Sequence, residues 1–392
     1  MRILYLSQRV PFPPNRGDKI STWRHIERLS ADHEVLSLSF AHDDADREAL
    51  VELARRGIEA HAIDLDTRRA KLKAAPLLLT SKPLTLGVFG SREMTRLVDR
   101  FAPDCDLLIG FSSSMGQYLL KYTDHPRIQF IVELDSDKWA QYAGFTKPPM
   151  KWVYAREART LLAFERRLCH AVDMSVLVTP LEGEIFRDRI PGAPCTVIRN
   201  GVDLKQFHPG ENAPEPGHFV FTGVMDYFPN IDGCAWFAQE ILPLVRERHP
   251  GARFTIVGNH PTPEVRALGE LDGVEVTGFV PSTSDYLARA AVAIAPLRIA
   301  RGIQNKVLEA MAMGLAVVGT THATQGVGAE DGDAYLVRDT ASAFADACCA
   351  LLDAPAEAGA LGARARAFVE AQFQWEDALV LLDAMVADVM GG

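Results

Sequence analysis

The chain has 392 residues, 48% hydrophobic and 23% charged, which is a globular composition and enough length for two domains with separate cores. Its formal net charge of −10 argues against a general nucleic-acid binder, which needs a broad basic surface to neutralise phosphates. Six cysteines without a CxxC pair or zinc spacing fit reduced thiols in a cytoplasm.

The N-terminus is apolar for only a few residues before Arg9 and Pro11, too short for a signal peptide. No run of ~18 apolar residues follows, so no transmembrane helix is expected and the protein reads as cytoplasmic. A strand is predicted at Arg2–Leu6, then a Pro-rich turn, Gly17, and a helix over Lys19–Ala31. Gly17 would let backbone approach a phosphate or an acceptor, with Asn15, Arg16, Asp18 and Lys19 grouped at the strand's carboxyl end. Read blandly, the same residues are an ordinary strand–helix turn.

Further short apolar runs are predicted as strands at Glu34–Phe40, Gly57–Ile63, Asp106–Gly110, Ile128–Glu133 and Met174–Val178. Amphipathic helices separate them, among them Arg47–Arg56, Arg92–Ala102 and Met150–His170. Strand–helix alternation of this kind predicts a parallel sheet covered on both faces, with ligands at the strands' carboxyl ends. Ser112-Ser-Ser114 follows one such strand and suits either substrate hydroxyls or a helix start.

Asp135-Ser-Asp137 follows another strand. It has three readings: a metal-binding DxD, which the architecture disfavours; an acceptor-orienting or deprotonating carboxylate; or an Asp N-cap on the helix entering Trp139. Two stretches mix cations with apolar residues, Arg68–Leu79 and Lys147–Arg156, the second continuing to Arg166 and Arg167. Such stretches suit contact with an anionic membrane face, or are solvated helix faces.

Leu204–Gly217 is rich in Pro and Gly, and the linker is placed at 205–216 between domains 1–204 and 217–375. A second strand series runs through Phe219–Thr222, Phe254–Val257, Val274–Val276, Ala291–Ala295, Ala316–Gly319 and Tyr335–Val337. The tail 376–392 reads as a helix crossing back to the first domain.

The sharpest signal spans Pro296–Gly319: a strand end, a loop Arg301-Gly302-Ile303-Gln304, a helix from about Asn305, and a stop at Gly314. Glycine leading into a helix presents free N–H groups and a positive dipole end, which suits a diphosphate. Arg301 and Lys306 would add charge, and Glu309 would accept from ribose hydroxyls. Lys306 and Glu309, three apart, equally suit a surface ion pair.

This segment resembles the donor-gripping signature of the family 4 retaining glycosyltransferases. Ile198–Asp203, Phe219–Met225 with its glycine loop at Gly223, Pro229–Gly233, Phe254–Gly258 and Gly278–Pro281 agree with that family in order, and together cover about half the chain. Gln8–Lys19 and Asp135–Trp139 resemble a subgroup, the sugar transferases associated with bacterial exosortase and exopolysaccharide systems.

The resemblance implies a GT-B fold, two Rossmann-like α/β domains with parallel sheets facing across a cleft. It also implies sugar transfer from a nucleotide-diphosphate donor to a glycan or lipid-linked acceptor, without a cofactor or catalytic metal. Taken with the reading of the residues above, the expected donor site is Gly17, Gly223, Arg301, Gly302, Ile303, Gln304, Lys306 and Glu309, and the expected catalytic residues are Asp135, Asp137 and Glu309. The chain departs from the family pattern twice. Arg301 stands where the first of two glutamates is usual, and Val224–Asn230 carries neither Arg nor Lys. A nucleotide-sugar epimerase and a catalytically idle sugar-nucleotide-binding scaffold remain the alternatives. Dehydrogenase and NTPase readings fail for want of G-x-G-x-x-G and G-x-x-x-x-G-K-[ST].

Overall fold

The computed structural model describes residues 1–210 and 213–391. The chain divides into two compact units, one of Met1–Arg199 with Glu376–Gly392 and one of Asn200–Trp375.

The first unit holds seven strands: β1 (Arg2–Ser7), β2 (Glu34–Ala41), β3 (Glu59–Asp64), β4 (Leu107–Phe111), β5 (Arg127–Val132), β6 (Met174–Leu177) and β7 (Cys195–Val197). They pair in parallel in the order β3-β2-β1-β4-β5-β6-β7. Ile3, Leu4, Leu6, Leu107, Leu108 and Ile109 are fully buried, as central strands of a two-faced parallel sheet require. The last helix, Trp375–Gly391, clusters with this unit over most of its length, and Arg28 pairs with its Asp383 at 2.5 Å.

The second unit holds six strands: β8 (His218–Thr222), β9 (Arg253–Val257), β10 (Val274–Gly278), β11 (Val292–Ala295), β12 (Ala316–Gly319) and β13 (Leu336–Val337). Their order is β10-β9-β8-β11-β12-β13, again parallel. Counted within each unit, both sheets follow the order 3-2-1-4-5-6, which the first extends with a seventh strand. In that order the connections reverse direction between the first and fourth strands, and ligands bind at the carboxyl ends there.

The second unit begins ahead of the expected linker. Val202 N–H bonds to Phe373 at 2.9 Å, and Phe207 is buried in the unit's core. The described part of 205–216 is therefore anchored in this unit by an apolar side chain that the Pro and Gly content concealed; Glu211 and Asn212 of that segment lie outside the described residues. The unit's two chain ends meet, and a Cβ on Gly201 would stand 2.6 Å from the Trp375 amide.

Candidate functional site

In the second unit, the reversal point lies at the ends of β8 and β11. β8 runs into Gly223, whose N–H bonds to Val257 at 3.0 Å. A Cβ on Gly223 would stand 2.8 Å from Asn230 Nδ2 and 3.4 Å from Lys306 Cε, so only glycine leaves this approach open. Gly223 is packed from the other side by Gly258, where a Cβ would fall 1.7 Å from the Gly223 carbonyl.

β11 leads to the loop Arg301–Gln304. Gly302 is buried with φ of +61°, a left-handed conformation that favours glycine. Gly326 seats against it, since a Cβ there would lie 2.1 Å from the Gly302 carbonyl. Gln304 folds back, its side-chain amide donating to the Arg301 carbonyl at 2.8 Å. Ile303 packs against the unit's core. The helix Asn305–Ala312 starts here with Gln304 as its N-cap. Its first amides have no acceptor within the helix and its dipole is positive at this end.

Lys306, half-buried in the first turn, donates to Asn230 Oδ1 at 3.0 Å and lies 5.1 Å from the Phe221 ring centroid. Burial lowers its ammonium to about 8, so it still carries charge at neutral pH. Glu309 is one turn further on, and burial pushes its carboxyl up to about 7. Lys306 is thus engaged with Asn230, on the helix Phe228–Trp236, and among the described residues it makes no ion pair with Glu309. A cationic ammonium, helix amides and two glycine-built turns converge, which is the chemistry that holds a diphosphate.

In the first unit, the loops after β1 and β4 are tied by Gln8 Nε2 donating to Ser114 Oγ at 2.7 Å. Gly17 is exposed as the first residue of the helix Gly17–Leu29. Lys19, grouped with it in the sequence, is turned away into a buried ion pair with Asp46 at 2.6 Å. Asp18 pairs with Arg16 at 2.7 Å.

Asp135 does not cap its helix. Leu134 is the N-cap of Asp135–Phe145 and offers no side-chain cap bond, so Asp135 is the first helical residue. Its carboxylate accepts from Ser113 Oγ at 2.6 Å and from Lys138. Asp137 faces Arg189 at 3.6 Å. Behind them Glu165, fully buried, accepts from the Ser136 hydroxyl and amide. Burial, and after it the Asp135 charge, pushes the Glu165 carboxyl up to about 8. Ser112 and Val132, at the ends of β4 and β5, have φ of +74° and +69°. For a β-branched residue this is a strained conformation, of the kind that gathers at functional loops.

The structure therefore brings Gly223, Gly302 and Lys306 into one site, with Glu309 behind it. Asp135, Asp137 and Gly17 lie in the first turns of two helices of the other unit. Sequence reasoning missed the supports: Asn230, Gly258, Gly326, Ser113 and Glu165. Asn230, Gly258 and Ser113 lay inside the motifs named above, but nothing in their spacing showed which atom they would meet. Among the described residues no group of three His, Cys, Asp or Glu is placed to hold a metal ion, and no helix is long and apolar enough to cross a membrane.

Comparison with known proteins places these features. Residues 216–354, which hold all six strands of the second unit, match the family described as glycosyl transferases group 1. The lipopolysaccharide core biosynthesis mannosyltransferase LpcC of Rhizobium leguminosarum bv. viciae is 27% identical over 274 residues, covering 63% of this chain and 73% of that protein. Among solved structures, sucrose-phosphate synthase from Thermosynechococcus elongatus matches with a TM-score of 0.74 at 17% identity, over 100% of this chain and 99% of that one. Anabaena HepE in complex with UDP-glucose matches with a TM-score of 0.71 at 13% identity, over 99% and 100%. The fold is that of the GT-B glycosyltransferases, two Rossmann-like α/β domains with parallel sheets.

Proposed function

We propose that the protein is a retaining glycosyltransferase of the family 4 type, moving a sugar from a nucleotide-diphosphate donor to a hydroxyl of a glycan or lipid-linked glycan. The observation that carries this reading is Lys306, half-buried at the head of the helix Asn305–Ala312 and held by Asn230 between the Gly223 and Gly302 turns. The diphosphate takes its positive counter-field from that ammonium and the helix amides, a role that requires no catalytic metal or cofactor. Arg301 contributes charge beside them, and Glu309 accepts from the ribose.

In the reaction, the bond from the anomeric carbon to the diphosphate oxygen breaks and a bond to the acceptor oxygen forms on the same face. The acceptor proton passes to the departing diphosphate. Asp135, fixed by Ser113 and Lys138, orients the acceptor hydroxyl, and Asp137 supports the same loop. The runs Gln8–Lys19 and Asp135–Trp139 support a place in bacterial exopolysaccharide assembly, of the exosortase-associated kind.

The test is binding and slow hydrolysis of a panel of UDP, GDP, ADP and TDP sugars by the purified protein. One donor binds tightly and releases its diphosphate. Lys306→Ala lowers kcat/KM for it by about 10²–10³-fold, the scale of removing a preorganised donor to developing charge. Epimerised sugar nucleotide without acceptor, or binding and turnover untouched by Lys306→Ala and Glu309→Ala, overturns the reading.

A further inference from the structure

Two stretches of the first unit, distant in sequence, are fastened together. Residues 67–82 hold five basic residues (Arg68, Arg69, Lys71, Lys73, Lys82) and no acid; residues 145–156 hold three (Lys147, Lys151, Arg156) and no acid. Arg156 Nη2 donates to the carbonyls of Leu77 at 2.6 Å, Lys82 at 3.0 Å and Thr80. The next residue, Glu157, is buried and accepts from the Leu84 and Thr85 amides at 2.7 and 2.8 Å. The turn Ala75–Leu79 is therefore pinned to the helix Met150–Cys169, and the one acid at this junction is consumed inside it.

The side chains left outside are apolar to an unusual degree. Leu79 is 93% exposed, Leu72 75% and Trp152 68%, and Leu78, Phe145 and Met150 are exposed as well. Six of the fifteen large hydrophobic residues exposed among the described residues fall in these two stretches. Single exposed hydrophobics need no explanation, but a cluster rimmed by one sign of charge does. Trp152 precedes Arg156 by one helical turn and so shares its face toward the pinned turn.

We propose that this face docks the protein on an anionic lipid bilayer surface. Leu79 and Trp152 enter the headgroup layer, and the surrounding Lys and Arg side chains bind the anionic headgroups. Charge decides between occupants. The chain as a whole carries −10, yet these two stretches hold eight basic residues and no acid, and the adjoining Asp66 offsets just one of them by pairing with Arg69 at 3.1 Å. A second copy joined symmetrically through the same face would set cation against cation. A bilayer offers anionic charge over an apolar layer, and Trp and Lys are side chains suited to that boundary. The proposal does not depend on sugar transfer.

The test uses the full chain and sedimentation with vesicles of phosphatidylcholine, alone or with phosphatidylglycerol. Binding is expected only to the anionic vesicles and weakens with salt. The combined variant Lys71→Gln, Lys73→Gln, Lys147→Gln, Lys151→Gln loses roughly fivefold per charge, more than about a hundredfold in all. Trp152 is the most exposed tryptophan, so emission shifts to the blue on binding and the shift vanishes in Trp152→Phe. Unchanged circular dichroism and retained nucleotide-sugar binding show that the variants fold. Equal binding to both vesicle types, no binding, or binding that survives the combined variant overturns the proposal. So does self-association that the variant abolishes, which would assign the face to a second copy.

Discussion

The two units share a strand order, yet their reversal points are finished differently. In the first, the loops after β1 and β4 are closed by a direct bond from Gln8 to Ser114, and Lys19 is spent on Asp46. In the second, glycines at 223, 258, 302 and 326 bring backbone within contact distance of backbone, and Lys306 keeps its charge in a half-buried place on a single amide partner. Topology supplies a place for a ligand in both sheets, and side chains decide what it takes. The glycine-built end suits an anion bound by amides. The hydroxyl- and carboxylate-built end, with Ser113 on Asp135, suits sugar hydroxyls.

The strongest way to break this contrast is to fill a glycine in each unit. In Gly326→Ala the new methyl meets the Gly302 carbonyl, which is backbone and has no rotamer to escape into. Donor affinity should fall about ten- to a hundredfold with little change in secondary structure, read by calorimetric titration and circular dichroism. In Gly116→Ala the methyl lands 2.3 Å from Leu168 Cδ2, a flexible side chain in the first unit's core. That variant should lose ~1–3 kcal/mol of stability and keep donor affinity. If both variants bind donor normally, the glycines are packing devices in both units.

A smaller effect sharpens the assignment of the second unit. Burial raises Glu309 to about 7 and lowers Lys306 to about 8. The carboxylate proposed for ribose forms above the first value, and the ammonium proposed for phosphate is lost above the second. Donor affinity should therefore peak between about 7 and 8, falling roughly tenfold per pH unit far outside either limb. Glu309→Gln should remove the acid limb, and Lys306→Met should flatten the alkaline one at lower affinity. A profile flat from pH 6 to 9, an interval set by about one unit either side of those values, would separate these residues from the donor.

Much of the fold was legible because it depends on short-range pattern. Buried parallel strands such as Arg2–Ser7 and His218–Thr222 must be apolar runs, and the loops that follow them are fixed by topology. The glycine turn at Arg301–Gln304 and its helix were legible for a similar reason, since Gly302 and the helix after it are adjacent in sequence. What the sequence hid is contact at long range. Asn230 meets Lys306 across 76 residues, and Glu165 meets Ser136 across 29. Phe207 looked like linker because its partners lie elsewhere in the chain. The left-handed Ser112 and Val132 were hidden too, since neither residue type favours that conformation and only the surrounding structure imposes it.

The smallest effect tests whether the two units also differ in how they store charge. Glu165 has no exposure, and its carboxyl is raised to about 8 from an ordinary 4.5. A group raised on folding adds stability that is fully present below its unfolded value and is lost as pH rises through its folded one. The first unit should therefore weaken between about pH 5 and 8, and Glu165→Gln, which keeps a hydrogen bond to Ser136 without a charge, should not. The difference is read as a melting temperature that falls with rising pH in the parent protein and stays level in Glu165→Gln. Lys306 works with the opposite sign. Its ammonium is lowered, so the cost of burying it persists below about 8 and is relieved as pH climbs toward 10.5. Hydrogen exchange followed separately in the helices Asp135–Phe145 and Asn305–Ala312 distinguishes the two. Protection should drop in the first and hold or rise in the second on going to alkaline pH, and a parallel drop in both would remove the electrostatic half of the contrast.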